Sequence, residues 1–297
     1  MRKTTLFKKL LKAPEILQIP VAHDPLCAKI LERAGFQVVG CAGYANSAAL
    51  IASPDVELLT LTEMVDAVWR IADATDLPVW ADGDNGHGNV TNVRRTVRQM
   101  EKAGAVSLML EDQVSPKRCG HMSGKQVIPT DEFVAKIKCA VDTRIDPDFT
   151  ILARTDAIAV NGLPDAVERA QLCIEAGADY VFLEAPRNVE QMRQITHSVS
   201  APTVANMIPG GLTPVLPASE LQAMGFAAVA WPNAFTYAYA KLATDLAAEL
   251  FRTGTPKGFE DKMIEFDDFN ALVGLPAIRE AEQHYYAGVE DTHRRAS

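Results

Sequence analysis

The 297 residues contain only five cysteines, none of them in a CxxC pair. Cys27, Cys41, Cys119, Cys139 and Cys173 are odd in number and widely spaced, which argues against a disulfide framework and for reduced thiols in the cytoplasm. No apolar run approaches the roughly 20 residues of a membrane span. The basic N-terminus, MRKTTLFKKLLKAPEI, lacks the continuous apolar stretch of a secretory signal. A solvated amphipathic helix is expected there, with a cleaved organelle-targeting segment as the alternative. Positive charge is scarce as well: 29 Lys and Arg stand against 38 Asp and Glu, for a net charge of -9. Nucleic acid and anionic membrane are thereby disfavoured as main partners, whereas small acidic substrates are not. No Ser/Gly/Pro-rich linker interrupts the chain, so 1–297 reads as one domain.

What is present is a rhythm. Eight short apolar runs, LQIPVA (17–22), QVVGCAG (37–43), LPVWADGD (77–84), SLMLED (107–112), TILARTD (150–156), DYVFLEA (179–185), PTVANMI (202–208) and AAVAWPN (227–233), alternate with stretches of helical spacing. Several of those stretches close on Ala-Gly, a helix stop. Runs without polar alternation suit strands buried on both faces, as in parallel sheets. Eight such units predict a (β/α)8 TIM-type barrel. A doubly wound open sheet is the competitor, but no Gly-rich phosphate turn follows the first run. A long helix is expected from Ala234 to about Arg252, and residues 255–297 form a C-terminal helical extension.

In such a barrel the active site lies where the strands end. Asp82, Asp84, Glu111, Arg154, Glu184 and Asn206 all fall at those ends. Any one of them reads easily as a helix cap; six on five successive runs do not. Asp82 and Asp84 are two apart, so an extended segment points both the same way. Three clustered carboxylates repel one another unless a cation sits among them. Mg²⁺ suits oxygen ligands and often takes only one or two carboxylates; His87 nearby keeps zinc or manganese open.

EDQVSPKRCGHMSGK (111–125) opens a loop, 113–129, far longer than the 2–6 residues typical of barrel connections. Loops of that length are often lids. Gly120 and Gly124 give it freedom to move, and Lys117, Arg118 and His121 around Cys119 are expected to favour its thiolate. A half-buried cysteine in a solvated basic loop is the bland alternative, and the other four cysteines sit in apolar patterns that favour it.

Taken together, EDQVSPKRCGHMSGK, ADGDNGHGN (81–89), AGYANSAAL (42–50) with PD (54–55), ARTDA (153–157), LEAP (183–186) and ANMIPGGLTP (205–214) resemble, in order, the motifs of the isocitrate lyase/phosphoenolpyruvate mutase superfamily, lyase branch. The resemblance spans essentially the whole chain. It implies a barrel whose last helix is exchanged between subunits, commonly in a tetramer. It also implies Mg²⁺, with Mn²⁺ as a possible substitute, held by Asp82, Asp84 and Glu111 with Asp55 in the same polar network. Gly43, Tyr44, Gly120, His121, Arg154, Glu184 and Asn206 would surround the substrate carboxylates. Lys117, His121 and Tyr44 would assist, and Cys119 would be the catalytic acid/base. Asn85 and His87 depart from the family pattern, which usually has threonine and an aromatic there.

The implied reaction cleaves a 2-hydroxy di- or tricarboxylate, of the 2,3-dimethylmalate or 2-methylisocitrate type, to a 2-oxo acid (pyruvate) and a carboxylate. The alternatives are a phosphonomutase, phosphonopyruvate hydrolase or oxaloacetate decarboxylase of the same superfamily, and a carboxylate-binding barrel without turnover. The phosphorus–carbon branches resemble this loop without its cysteine.

Overall fold

The computed structural model describes residues 1–287. It divides into two compact units, Met1–Ala240 and Lys241–Ser297.

Every expected strand forms. The order is α1 (Lys3–Leu11), β1 (Leu17–Pro20), α2 (Pro25–Arg33), β2 (Val39–Cys41), α3 (Gly43–Ile51), α4 (Leu61–Ala74), β3 (Val79–Asp82), α5 (Val90–Lys102), β4 (Ala105–Glu111), α6 (Thr130–Thr143), β5 (Thr150–Thr155), α7 (Leu163–Glu175), β6 (Tyr180–Leu183), α8 (Val189–Ser198), β7 (Val204–Asn206), α9 (Ala218–Ala223) and β8 (Ala228–Trp231). The helix α10 (Ala234–Thr253) follows, then α11 (Phe266–Leu272) and α12 (Leu275–Tyr286). In α5 the buried residues are Val93, Thr96, Val97 and Met100, one face at helical spacing. The chain turns after it at Gly104, with φ 96°, a left-handed conformation in which a Cβ is costly.

All pairings are parallel, in two sheets ordered β1-β8-β7 and β2-β3-β4-β5-β6. Only isolated bridges, Val21 with Gly40 and Val181 with Thr203, span the β1/β2 and β6/β7 seams. The expected closed barrel is therefore met in part: the strands and their parallel order are there, but the ladder is not continuous around the ring. β2 and β7 have three residues each and pair along their whole length on the other side, with β3 and β8.

Strand parity sorts the core into two. Trp80, Met109, Leu152, Phe182 and Val204 belong to an inner cluster, while Ala81, Leu110, Ile151, Val181 and Ala205 pack outward in the larger one. Side chains alternate along a strand. Two residues beyond each inner residue the same face continues, and there stand Asp82, Glu111, Arg154, Glu184 and Asn206.

The N-terminus departs from expectation. α1 is amphipathic, but Phe7 is 0% and Leu11 3% exposed, both inside the inner cluster. Burying a phenylalanine contributes roughly 1.5–3 kcal/mol; α1 is thus part of the core, not a solvated appendage. Deeper still, Trp80 Nε1 donates to Tyr180 Oη at 2.8 Å and Ser107 Oγ shares a 2.5 Å bond with the same hydroxyl, which satisfies the polar atoms that burial would otherwise penalise.

In the second unit none of the residues of α11 and α12 is buried. Phe266 is 80% and Tyr285 78% exposed. Among the described residues no helix is long and apolar enough to cross a membrane. The end of the expected extension, 288–297, lies outside the described residues.

Candidate active site

The carboxylates meet around Gly43, at the start of α3. Its N–H donates to Asp82 Oδ2 at 3.0 Å, and the N–H of Asp84 donates to Asp82 Oδ1 at 3.0 Å. A Cβ built on Gly43 would stand 3.2 Å from Asp84 Oδ1 and 3.3 Å from Asp55 Oδ1 and Asp82 Oδ2. Three carboxylates thus border a space that only the missing side chain leaves open. Asp84 reaches it with φ 47°, so the pair is brought together by a left-handed turn rather than by the extended spacing expected.

Lys117 Nζ balances this charge, 2.6 Å from Asp55 Oδ1 and 2.8 Å from Asp84 Oδ1. Burial alone would lower the Lys117 pKa, but Asp84, Glu111 and Asp55 raise it well above the ordinary value. Burial pushes Asp82 up to about 6, with the charge of Asp84 adding to it. Burial also raises Glu111 well above the usual range, against the pull of Arg154 and Lys117. Asp84 is lowered: burial opposes its ionisation, and Lys117 overcomes burial.

Next to this cluster lies an arginine hub. Arg154 Nη1 is 3.3 Å from Glu111 Oε2, Nη2 is 3.3 Å from Glu184 Oε2, and Nε donates to Asp156 Oδ2 at 3.0 Å. Glu184 accepts from Asn206 Nδ2 at 3.1 Å and from the Ala185 N–H at 2.8 Å. The N–H of Leu212 donates to His121 Nδ1 at 2.8 Å. The ring proton therefore sits on Nε2, which faces Glu184 Oε1 at 3.1 Å.

The 113–129 loop closes over both clusters. Cys119 N donates to the Asp55 carbonyl at 3.1 Å, and Lys117 N to Glu57 Oε2 at 2.5 Å. Gly120 must lack a side chain: a Cβ there would lie 2.5 Å from Arg154 Nη2. Underneath is a small cavity whose wall includes Tyr44, Asp55, Asp82, Cys119, Gly120, Arg154, Glu184 and Asn206. Gly43, Asp84, Glu111, Lys117 and His121 stand behind that wall and hold it through the contacts above.

The thiol differs from expectation. Cys119 is raised, not lowered: burial dominates, Asp55 and Glu184 add to it, and the His121 N–H and Arg154 offset only part. The nearby cations act elsewhere. Lys117 turns to the acids, Arg118 donates to the Ser123 carbonyl at 3.0 Å, and the His121 ring is spent on Glu184. Cys119 is thus a protonated thiol, suited to giving a proton. Tyr44, also raised by burial and by Tyr237, keeps its hydroxyl proton and is no ready base; its hydroxyl shares a 3.1 Å hydrogen bond with Tyr237 Oη.

A hard cation fits this donor set. Glu111 Oε1 is buried without a partner, which costs free energy unless something charged or polar reaches it. Among the described residues no three His, Cys, Asp or Glu side chains lie close enough to ligate one ion directly. One or two carboxylates with waters completing the shell is how Mg²⁺ is ordinarily held. His87 Nε2 is buried and unpartnered, and burial lowers its pKa; Asn85 turns away to Glu57 Oε1 at 3.0 Å.

Sequence reasoning missed Glu57, Lys125 and Asp156. Asp156 had a signal, standing two after Arg154 at the same strand end. Glu57 and Lys125 had none: Glu57 acts through Asn85, Ser115 and Lys117, and Lys125 through the Gly120 carbonyl and Asp156, pairings that no residue pattern announces.

Residues 7–251 match the family described as phosphoenolpyruvate phosphomutase. A 2,3-dimethylmalate lyase of Eubacterium barkeri is 45% identical over 97% of this chain and 100% of its own. The solved structure of a 2,3-dimethylmalate lyase, a PEP mutase/isocitrate lyase superfamily member, superposes with a TM-score of 0.90 at 30% identity, covering 97% of this chain and 98% of that one. A phosphonopyruvate hydrolase solved with oxalate and Mg²⁺ superposes at 0.87 and 29% identity, covering 96% and 99%.

Proposed function

The chain belongs to the phosphoenolpyruvate mutase/isocitrate lyase superfamily, and from that footing we propose a carbon–carbon lyase that splits a 2-hydroxy dicarboxylate of the alkylmalate type into pyruvate and a carboxylate. The observation that carries this is Cys119, a protonated thiol on the cavity wall that Arg154 and Asp82 also form. Mg²⁺, with Mn²⁺ as a substitute, would be held by one or two of Asp82, Asp84 and Glu111 directly and by the others, with Asp55, through water, and when bound supplies positive charge that stabilises an oxygen developing negative charge.

The protein's own part is to bind, orient and protonate. Arg154 and Asn206 hold the carboxylate end of the substrate, with Glu184 and His121 fixing both. Loss of the 2-hydroxyl proton to the acidic cluster drives the C2–C3 bond to break. C2 becomes the carbonyl of the 2-oxo acid, and the electron pair goes to C3, where the adjacent carboxylate delocalises it. The Cys119 S–H then gives its proton to C3, and the closed loop keeps bulk water from that carbanion.

A 2-methylisocitrate-type acid is the second substrate class, since the Cys119 loop resembles that branch equally. A phosphonate substrate is disfavoured because the phosphorus–carbon branches resemble this loop without its cysteine. We read the two sheets as arcs of one barrel, and the exposed apolar side chains of α11 and α12 as subunit contacts in a helix-exchanged tetramer in the cytoplasm. The test is a Mg²⁺-supplemented screen of malates, alkylmalates, isocitrates and phosphonopyruvate for release of pyruvate and glyoxylate. Pyruvate from an alkylmalate supports the reading; phosphonate turnover with Cys119→Ala fully active would overturn it.

A further inference from the structure

Lys125 lies at the far end of the 113–129 loop, beyond the cysteine motif, yet its side chain is 2% exposed. The ammonium group makes two contacts of different kinds. It donates to the carbonyl of Gly120, the residue after Cys119. It also lies 2.6 Å from Asp156 Oδ1. Asp156 is 0% exposed and accepts from Arg154 as well, through Nε at 3.0 Å and Nη2 at 3.3 Å. One buried cation therefore links the peptide next to the thiol with the carboxylate that orients the arginine.

We propose that Lys125 is a positioning residue that couples arrival of Cys119 to the aim of Arg154, working through Gly120 on one side and Asp156 on the other. This rests on the lyase reading for the roles of Cys119 and Arg154. The electrostatics follow from the arrangement. Arg154 faces three carboxylates, Glu111, Glu184 and Asp156. When the loop is down, Lys125 shares Asp156, and Arg154 is less committed to it and better able to take a substrate carboxylate. Without Lys125, Arg154 is the one cation left paired with Asp156 among the described residues, and the Gly120 carbonyl loses its charged donor. Charge-assisted bonds of this kind are stronger than neutral ones and weigh more where water is excluded. Lys125 touches neither substrate nor reacting atoms, so its effect is on placement.

The test uses the full chain with Lys125→Met, Lys125→Gln and Lys125→Arg, and Lys138→Met as a control, because Lys138 pairs with Asp142 on an exposed face. Two readouts need no turnover: the affinity for oxalate in the presence of Mg²⁺ by calorimetry, and the rate at which iodoacetamide alkylates Cys119, followed by peptide mass spectrometry. Lys125→Met and Lys125→Gln are expected to weaken oxalate about tenfold and to speed alkylation about tenfold as the loop opens more often. Lys125→Arg, which keeps the charge, is expected to restore most of both, and Lys138→Met to change neither. Should Lys125→Met fold poorly, the Gln and Arg pair still separates charge from bulk. Wild-type oxalate affinity and alkylation rate in Lys125→Gln would overturn the coupling. Because neither readout requires a known substrate, that result is distinct from failure of the lyase reading, which would appear as no pyruvate release by the unaltered protein.

Discussion

The N–H of Gly43 meets Asp82 Oδ2 at 3.0 Å, and the space where a Cβ would project from Gly43 is bordered by Asp82, Asp84 and Asp55. This glycine stands in a helical first turn and needs no unusual backbone angle; it is there for close approach. Gly43→Ala is therefore expected to fold, with its methyl group pressed to 3.2–3.3 Å from three carboxylate oxygens. Turnover should fall at least about tenfold, near 1.4 kcal/mol of transition-state stabilisation, with the unfolding midpoint little changed. Wild-type activity in this variant would mean that the space is not used.

Cys119→Ser keeps the shape of the loop but replaces the thiol with a much weaker acid. The expected loss is in kcat, on the order of 10²–10⁴ as for other general acids, with KM nearly unchanged. Steady-state kinetics on the best substrate of the screen decides it, and a variant with unaltered kcat would remove Cys119 from the proton-donor role.

Chelation should be reversible and specific to the acid cluster. EDTA-treated protein is expected to be inactive and to recover with Mg²⁺. In calorimetric scans, Mg²⁺ at about a hundred times its Kd should stabilise the fold by roughly 2.7 kcal/mol. Asp82→Ala should abolish that shift while Asp142→Ala, on the exposed α6 face, should retain it.

Asp112, next to Glu111 in the chain but bonded through its own carboxylate to Thr155, Asp156 and Arg169, offers a pH test. Burial pushes its carboxyl up to about 6 from an ordinary 3.8, even though the Asp156 N–H and the Thr155 hydroxyl favour the ionised form. Between those values the folded chain holds a proton that the unfolded chain has released. This group's contribution to stability is thus fully present below about pH 4 and is lost as pH rises through about 6. Asp112→Asn should flatten that part of the stability profile by on the order of 1–3 kcal/mol, read from denaturant unfolding at several pH values. An unchanged slope would assign the titration to another group.

The eight strands, their parallel order and the polar residues at the ends of five of the runs were legible in the sequence because each depends on local pattern. Burial on both faces makes a continuous apolar run, and a period of two places Asp82, Glu111, Arg154, Glu184 and Asn206 on the face shared by Trp80, Met109, Leu152, Phe182 and Val204. The 113–129 loop was legible too, as an overlong connection. The burial of α1 was not, since MRKTTLFKKLLKAPEI carries the same amphipathic pattern whether its apolar face meets water, a membrane or the inner core.

Charge is what the third dimension decided. Lys117, Arg118 and His121 stand next to Cys119 in the chain and suggest a thiolate, but each spends its donors elsewhere, so the buried thiol stays protonated. Lys125 and Asp156 are 31 residues apart and meet through a single ammonium. Side-chain periodicity is a property of neighbouring residues and can be read along the chain. Burial and Coulomb interaction depend on distance through space and on what excludes water, and those exist only once the strands have brought remote residues together.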